Sequence, residues 1–205
     1  MNSAGISNGN ALDALPSYQW DLNDTGSIAE DFRGLADGQI TGANSAWDAN
    51  KSSNVLTFDG TDDFISFGDL DEMDQIDRFT FSIWFKRTSD TSSTPTNHGV
   101  HNVLLGQSSG GSNDNLEIGT NGSNVQLYVD SGSAETDATV TFDAGLVNDR
   151  WYHLAVVYGS ELSLFLDGVK ISTWTQYNGR LESSQASPLS IGVARPNSNR
   201  WGDFS

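Results

Sequence analysis

Apolar side chains recur at every second position along much of this sequence, and that period fixes what the chain can fold into. In "RFTFSIWFKR", Phe79, Phe81, Ile83 and Phe85 fall on one side, and Thr80, Ser82, Trp84 and Lys86 on the other. An extended strand with one buried face does this, because successive side chains point to opposite faces of a sheet. "WYHLAVVYGSELSLFLDGVKIST" repeats the pattern as a meander. Tyr152, Leu154, Val156 and Tyr158 alternate with His153, Ala155 and Val157, and then Leu162, Leu164 and Leu166 alternate with Ser163 and Phe165. Asp167-Gly168 between two such runs is a tight-hairpin signal, since both central residues of that turn take positive φ. Further strands are predicted at 18–22, 55–58, 64–67, 103–107, 115–119, 125–129, 138–142 and 189–193. About ten short strands joined by Gly-, Asn-, Ser- and Asp-rich turns predict an all-β, antiparallel two-sheet β-sandwich of the jelly-roll kind.

The remaining features bound this fold. A chain of 205 residues is long enough for one domain with a real core. Its 27 acidic residues against 10 basic ones give a formal charge of −17, and 21 of the acids are Asp, a turn former rather than a helix former. That charge repels phosphates and anionic lipid headgroups, which argues against nucleic acid and membrane partners. With no cysteine, disulfides and thiolate metal sites are excluded. No run has the length of a transmembrane helix, so no membrane insertion is expected. Residues 1–15 read as a disordered arm or linker and 16–205 as the folded module. Residues 88–102 and 108–115 read as long exposed loops, and "DLDEMDQIDR" (69–78) as one helical turn.

Several pieces, in order, resemble one family. "YQWDLND" resembles its opening strand and "AEDFRGLADGQITG" the turn that follows. "LTFDGTDDFISFG" resembles its F-D-G-x-D-D-aromatic element, and "FTFSIWFKR" the next strand. "RWYHLAVVYGSELSLFLDG" resembles W-x-H-x-A-x-x-Y with a strand ending in D-G, and "SPLSIGVA" the strand after it. Over roughly residues 18–205 the chain thus resembles the laminin-G-like, concanavalin A-like jelly rolls, especially bacterial, pentraxin-like ones. The resemblance implies a last strand after the G-D-F turn. Because this sequence stops at "WGDFS", the expected fold lacks that strand and belongs to a longer polypeptide.

Calcium (Ca2+) is the ion this resemblance implies, and Asp-rich Gly turns offer the mixed carboxylate and carbonyl oxygens it takes. Asp31 and Gly34 in the early turn, with Asp59 and Gly60 in the F-D-G turn, are expected to converge on one ion. The alternative is that Asp31 and Asp59 accept N–H bonds within their own turns. Asp62 and Asp63 should divide by alternation, leaving at most one of them on that ion. Asn97, Asn102, Asn113, Asp114 and Asn115 offer a second rim, read first as turn chemistry. The resemblance does not extend to the pentraxin-type double site, because "ARPNSN" carries no carboxylate.

A sugar site needs an aromatic face for the C–H patch of a pyranose and planar polar groups for its hydroxyls. Trp201, Arg195, Asn197, Asn199 and Arg200 share one late loop. Trp84 and His153 should face outward from a sheet, and Asn97, His98, His101 and Asn102 lie on the long loop. Trp20, Trp151 and Trp174 are read as packing residues. The three histidines lack zinc spacing. No strand carries the paired carboxylates of a glycosidase, and Glu117 stands alone in "NLEIG". The expected function is a non-catalytic carbohydrate-binding module of a larger extracellular or cell-surface protein, taking a glycan or glycoprotein ligand and flanked by other domains. The lack of cysteine and the acidity suit a bacterial surface adhesin. A protein–protein adhesion module and a fragment of a polysaccharide-degrading enzyme are the alternatives.

Overall fold

The computed structural model describes residues 16–89, 94–108, 116–131, 138–182, 187–196 and 204. Fourteen strands are assigned: β1 (Ile28–Ala29), β2 (Gly38–Thr41), β3 (Asn44–Asp48), β4 (Ser53–Thr57), β5 (Phe64–Ser66), β6 (Phe79–Lys86), β7 (Val103–Gln107), β8 (Leu116–Asn121), β9 (Asn124–Val129), β10 (Val140–Asp143), β11 (Trp151–Tyr158), β12 (Leu162–Leu166), β13 (Val169–Trp174) and β14 (Ser190–Ile191). Every pairing is antiparallel. An eight-stranded sheet runs β1-β2-β5-β14-β7-β8-β9-β10, a four-stranded sheet runs β13-β12-β11-β6, and β3-β4 form a separate hairpin. This is the expected β-sandwich. The helical turn expected at 69–78 is a single 3-10 turn over Asp71–Met73, and no helix among the described residues is long and apolar enough to cross a membrane.

The core follows from the alternation. Leu116 and Ile118 of β8, Val125, Leu127 and Val129 of β9, Tyr152, Leu154, Val156 and Tyr158 of β11, and Leu162 and Leu164 of β12 are all buried in one cluster between the sheets. Phe85 is buried there too, with Phe79, Phe81 and Ile83 packed against it. Each such aliphatic or aromatic side chain contributes about 1.5–3 kcal/mol of transfer free energy. The Asp167-Gly168 turn has φ of 50° and 80°, as the hairpin signal requires. β14 lies between β5 and β7, so its two residues join the two halves of the large sheet.

Three sequence expectations need correction. Residues 18–22, expected as a strand, make only an isolated antiparallel bridge, Trp20 with Asp31. The strands β2 and β3 fall where only turns were expected, so the strand expected at 55–58, which is β4, has a hairpin partner in β3. Residues 44–47 of β3 are all exposed, Trp47 among them, so neither of its faces shows the buried apolar alternation that marks a strand. Residues 94–102, expected as an exposed loop, instead lie against the outward face of the large sheet, with Thr96, Val100 and Asn102 buried. The expected arm over residues 1–15 lies outside the described residues.

Candidate functional site

The inward–outward alternation of β6 and β11 places Ser82, Trp84, Lys86, Trp151 and His153 on the outward face of the four-stranded sheet. Trp84 stands opposite His153, and Lys86 opposite Trp151. Trp84 is 55% exposed, a large value for so apolar a side chain. Its indole lies 5.1 Å from the His153 ring, tilted by 49°. The His153 Nε2 is 3.0 Å from Ser82 Oγ. An aromatic surface bordered by a hydroxyl and an imidazole is thus open to solvent.

The tip of the β3–β4 hairpin closes one side of this face. Asp48, at the end of β3, accepts hydrogen bonds from Asn50 N at 2.9 Å and Lys51 N at 3.2 Å, which shapes the tip. Its other oxygen accepts from Lys86 Nζ at 2.6 Å and Trp151 Nε1 at 3.1 Å, which anchors the tip to the sheet. The Lys86 hydrogen bond outweighs burial and, with the Trp151 and backbone N–H donors, brings the Asp48 carboxyl down to about 2. Lys51 then reaches over the face. Its Nζ sits 3.1 Å from the Trp84 ring centroid and 4.8 Å from that of Trp151, a cation–π arrangement. Burial lowers the proton affinity of Lys51, while Asp48 and Asp167 raise it. Asp167 is tied to its own partners: it accepts from His153 N at 2.9 Å and pairs with Arg150 at 3.1 Å.

The opposite outward face, on the eight-stranded sheet, is occupied by residues 94–102. The His98 ring stacks on Tyr128 of β9, with centroids 3.5 Å apart and planes within 7°. Glu117 of β8 is fully buried beneath it, accepting from Thr96 Oγ1, with His98 Nδ1 3.2 Å from its other oxygen. Gln126 holds the loop at both ends of its amide, accepting from His101 N and donating to Gly99 O, each at 3.0 Å. Val100, Val103, Tyr128 and Ala194 form a small apolar cluster under it. Gly119 has no side chain for a physical reason: a Cβ there would collide with His101 O and Val100.

The predicted ligand residues therefore do not form one site. Trp84 is on one outward face, whereas His98 and Asn97 are on the other. Asn102, expected as a ligand contact, is fully buried, and its amide donates to Thr120 O at 3.2 Å, so it fastens the loop. Asn97 is exposed and Arg195 half-buried. Asp114, Asn197, Asn199 and Trp201 lie outside the described residues. Trp20 packs on Phe67 at 4.1 Å and donates to Ala36 O at 2.7 Å, as a packing residue should. Sequence reading missed Lys51 and Asp48 at the site, and the one available signal was the "DANK" turn between two weak strands.

The acids around the F-D-G turn group differently from the expectation. One carboxylate oxygen each of Asp59, Asp62 and Asp63 lies within 4.8 Å of the other two, so both neighbours, not one at most, accompany Asp59. Asp31 is not in this group. Burial raises its proton affinity, but backbone N–H donors outweigh that and hold its carboxyl below the ordinary value. Gln19 N donates to one of its oxygens at 2.8 Å and Leu35 N to the other at 2.9 Å, and Gly34 N donates to its carbonyl at 2.8 Å. Asp59 Oδ1 accepts from Thr61 N at 2.7 Å, and Asp63 Oδ2 accepts from Asp59 N, also at 2.7 Å. Gly60 has φ of 76°, giving the tight turn. Gly42, also at positive φ, leaves room for the Asp63 carboxylate, with which a Cβ would collide.

A two-sheet jelly roll with one covered and one open outward face defines the class. Residues 59–203 match the laminin G-type family described as the concanavalin A-like lectin/glucanases superfamily, and the chain belongs to it. The sequence has no match among curated proteins. Among solved structures, the binding domain of Paraclostridial Mosquitocidal Protein 1 is similar with a TM-score of 0.61 at 12% identity, over 89% of this chain and 46% of that one. The receptor binding domain of botulinum neurotoxin D is similar at 0.60 and 10%, over 91% and 46%. Domain 4 of AbnA, a GH43 extracellular arabinanase from Geobacillus stearothermophilus solved with arabinotriose, is similar at 0.54 and 17%, over 85% and 82%. At these identities the likeness is one of fold. The chain spans less than half the length of the two toxin binding domains.

Proposed function

We propose that this chain is a non-catalytic carbohydrate-binding module of a larger secreted or cell-surface protein. The observation that carries the reading is Trp84, 55% exposed on a sheet face beside His153 and Ser82. A pyranose presents an apolar C–H patch to such a ring and its hydroxyls to the neighbouring donors and acceptors. The fold it shares with a domain solved in complex with arabinotriose agrees with this reading. Catalysis has less support. Glu117 is buried under residues 94–102 and held by Thr96, whereas a glycosidase needs two carboxyls reaching one bond. A glycan array read with wild type and Trp84→Ala tests the proposal: sugar hits lost in the variant are expected, and an array without hits would defeat it.

Calcium is part of the proposal, with Asp59, Asp62 and Asp63 in place of the earlier Asp31 set. Three carboxylates in mutual reach at Gly turns fit part of the six to eight oxygens the ion takes, carbonyls supplying others. Bound to the folded state alone, calcium would raise the melting midpoint. A midpoint unchanged at millimolar calcium would remove the metal from the reading.

A protein-binding role has one observation of its own. Phe32 and Leu35, on the turn after β1, are 69% and 65% exposed, and exposed apolar tips serve protein contacts. Capture of deglycosylated surface protein, lost in Phe32→Ser, would favour that role over the sugar.

A further inference from the structure

Resting on the sugar-platform reading above, we propose that the Trp84 face selects sugars bearing a single negative charge, and that Lys51 makes the selection. Among the described residues, the other charged side chains tied into the platform are paired. Lys86 is bound to Asp48 at 2.6 Å, and Arg150 to Asp167 at 3.1 Å. Asp48 also takes the Trp151 N–H and two backbone N–H groups, and Asp167 the His153 N–H. Lys51 alone among these groups has no carboxylate within ion-pair distance among the described residues. Its ammonium rests on two indole faces instead.

The arrangement discriminates by charge. A neutral sugar that stacks on Trp84 must push the ammonium off the indole and returns only a hydrogen bond to an uncharged hydroxyl, the weaker kind. An acidic sugar replaces the cation–π contact with a charge-assisted hydrogen bond to carboxylate or sulfate oxygens. One charge is the right number, because the two ion pairs cancel and leave Lys51 as the net charge of the platform. A polyanion would meet the −17 chain beyond the site, whereas a lone charge seated on Lys51 has most of that field screened beyond about 8 Å at physiological salt.

The test is a glycan array in matched sets. Each neutral oligosaccharide is printed beside forms carrying one uronate, the methyl ester of that uronate, or one sulfate. Wild type, Lys51→Met, Lys51→Arg and Trp84→Ala are compared, with melting curves confirming that each is folded. A preference of about tenfold for a singly charged form over its ester or neutral parent is expected, the scale of one charge-assisted hydrogen bond. Lys51→Met should remove the preference and retain or raise neutral binding, and Lys51→Arg should keep it. Binding equal for charged and neutral forms, yet lost in Trp84→Ala, would overturn the role of Lys51 and leave the platform standing. A preference that survives in Lys51→Met would overturn it as well. A blank array in every set would overturn both readings.

Discussion

The two outward faces of this sandwich are built alike and end up opposite in character. Each presents an aromatic residue in a strand, Tyr128 in β9 and Trp84 in β6, with polar neighbours two residues away. On the eight-stranded sheet, residues 94–102 fold down over the face, so that His98 stacks on Tyr128 and Glu117 is sealed in. On the four-stranded sheet, the tip of the β3–β4 hairpin arrives among the described residues, and it brings Lys51 over Trp84 while leaving more than half of that side chain in water. Polar groups on the first face are thereby committed to holding the fold. Those on the second are held in place yet still face solvent, which is the state a binding surface requires.

The sharpest way to break the contrast is to open the covered face. Gly119→Val places side-chain atoms where His101 O and Val100 lie. Loss of at least about 3 kcal/mol in urea unfolding is expected, the upper range for an overpacked site that cannot relax. A smaller loss follows from removing the aromatic under the loop. Tyr128→Ala deletes the partner of His98 and part of the apolar cluster, and should cost about 3 kcal/mol by the same measurement. The same truncation on the open face, Trp84→Ala, should cost less than about 1 kcal/mol, because little burial is lost at an exposed site. Equal losses at Tyr128 and Trp84 would erase the distinction between the faces.

Acid gives a further, smaller test. Asp48 has a carboxyl brought to about 2 in the fold, chiefly by the Lys86 hydrogen bond, against about 3.9 in an unfolded chain. A depressed carboxyl stabilises fully above the unfolded value and loses its contribution as pH falls from about 4 through 2. Asp48→Asn should therefore melt lower than wild type at neutral pH and lose less as pH drops from 5 to 2. Parallel curves would show that this carboxylate does not anchor the hairpin tip.

Much of this was legible beforehand. The period-two runs of β6, β11 and β12 named the inward residues correctly, and the Asp167-Gly168 turn was read from two residues. The outward placement of Trp84 and His153 followed from the same alternation. β3, and with it the pairing that makes β3–β4 a hairpin, was not legible, because all but the last residue of β3 are exposed and leave no apolar periodicity. The grouping of Asp59 with both Asp62 and Asp63 was missed for a related reason. Alternation holds within a strand, whereas Asp59, Asp62 and Asp63 stand in the connection between β4 and β5, outside any strand.

What the sequence by itself determined is the class of fold and the side of the sheet on which each strand residue falls. Both depend on local backbone geometry and on the burial of apolar groups at every second position. Only the tertiary structure decided which outward face stays open. That outcome rests on where residues 94–102 and the tip at Lys51 come to lie, through contacts such as Gln126 with Gly99 and Asp48 with Lys86 that join distant parts of the chain. Alternation tells an outward residue from an inward one. It carries no information about which other segment will later cover it, because covering is a matter of packing between elements rather than of the conformation within one.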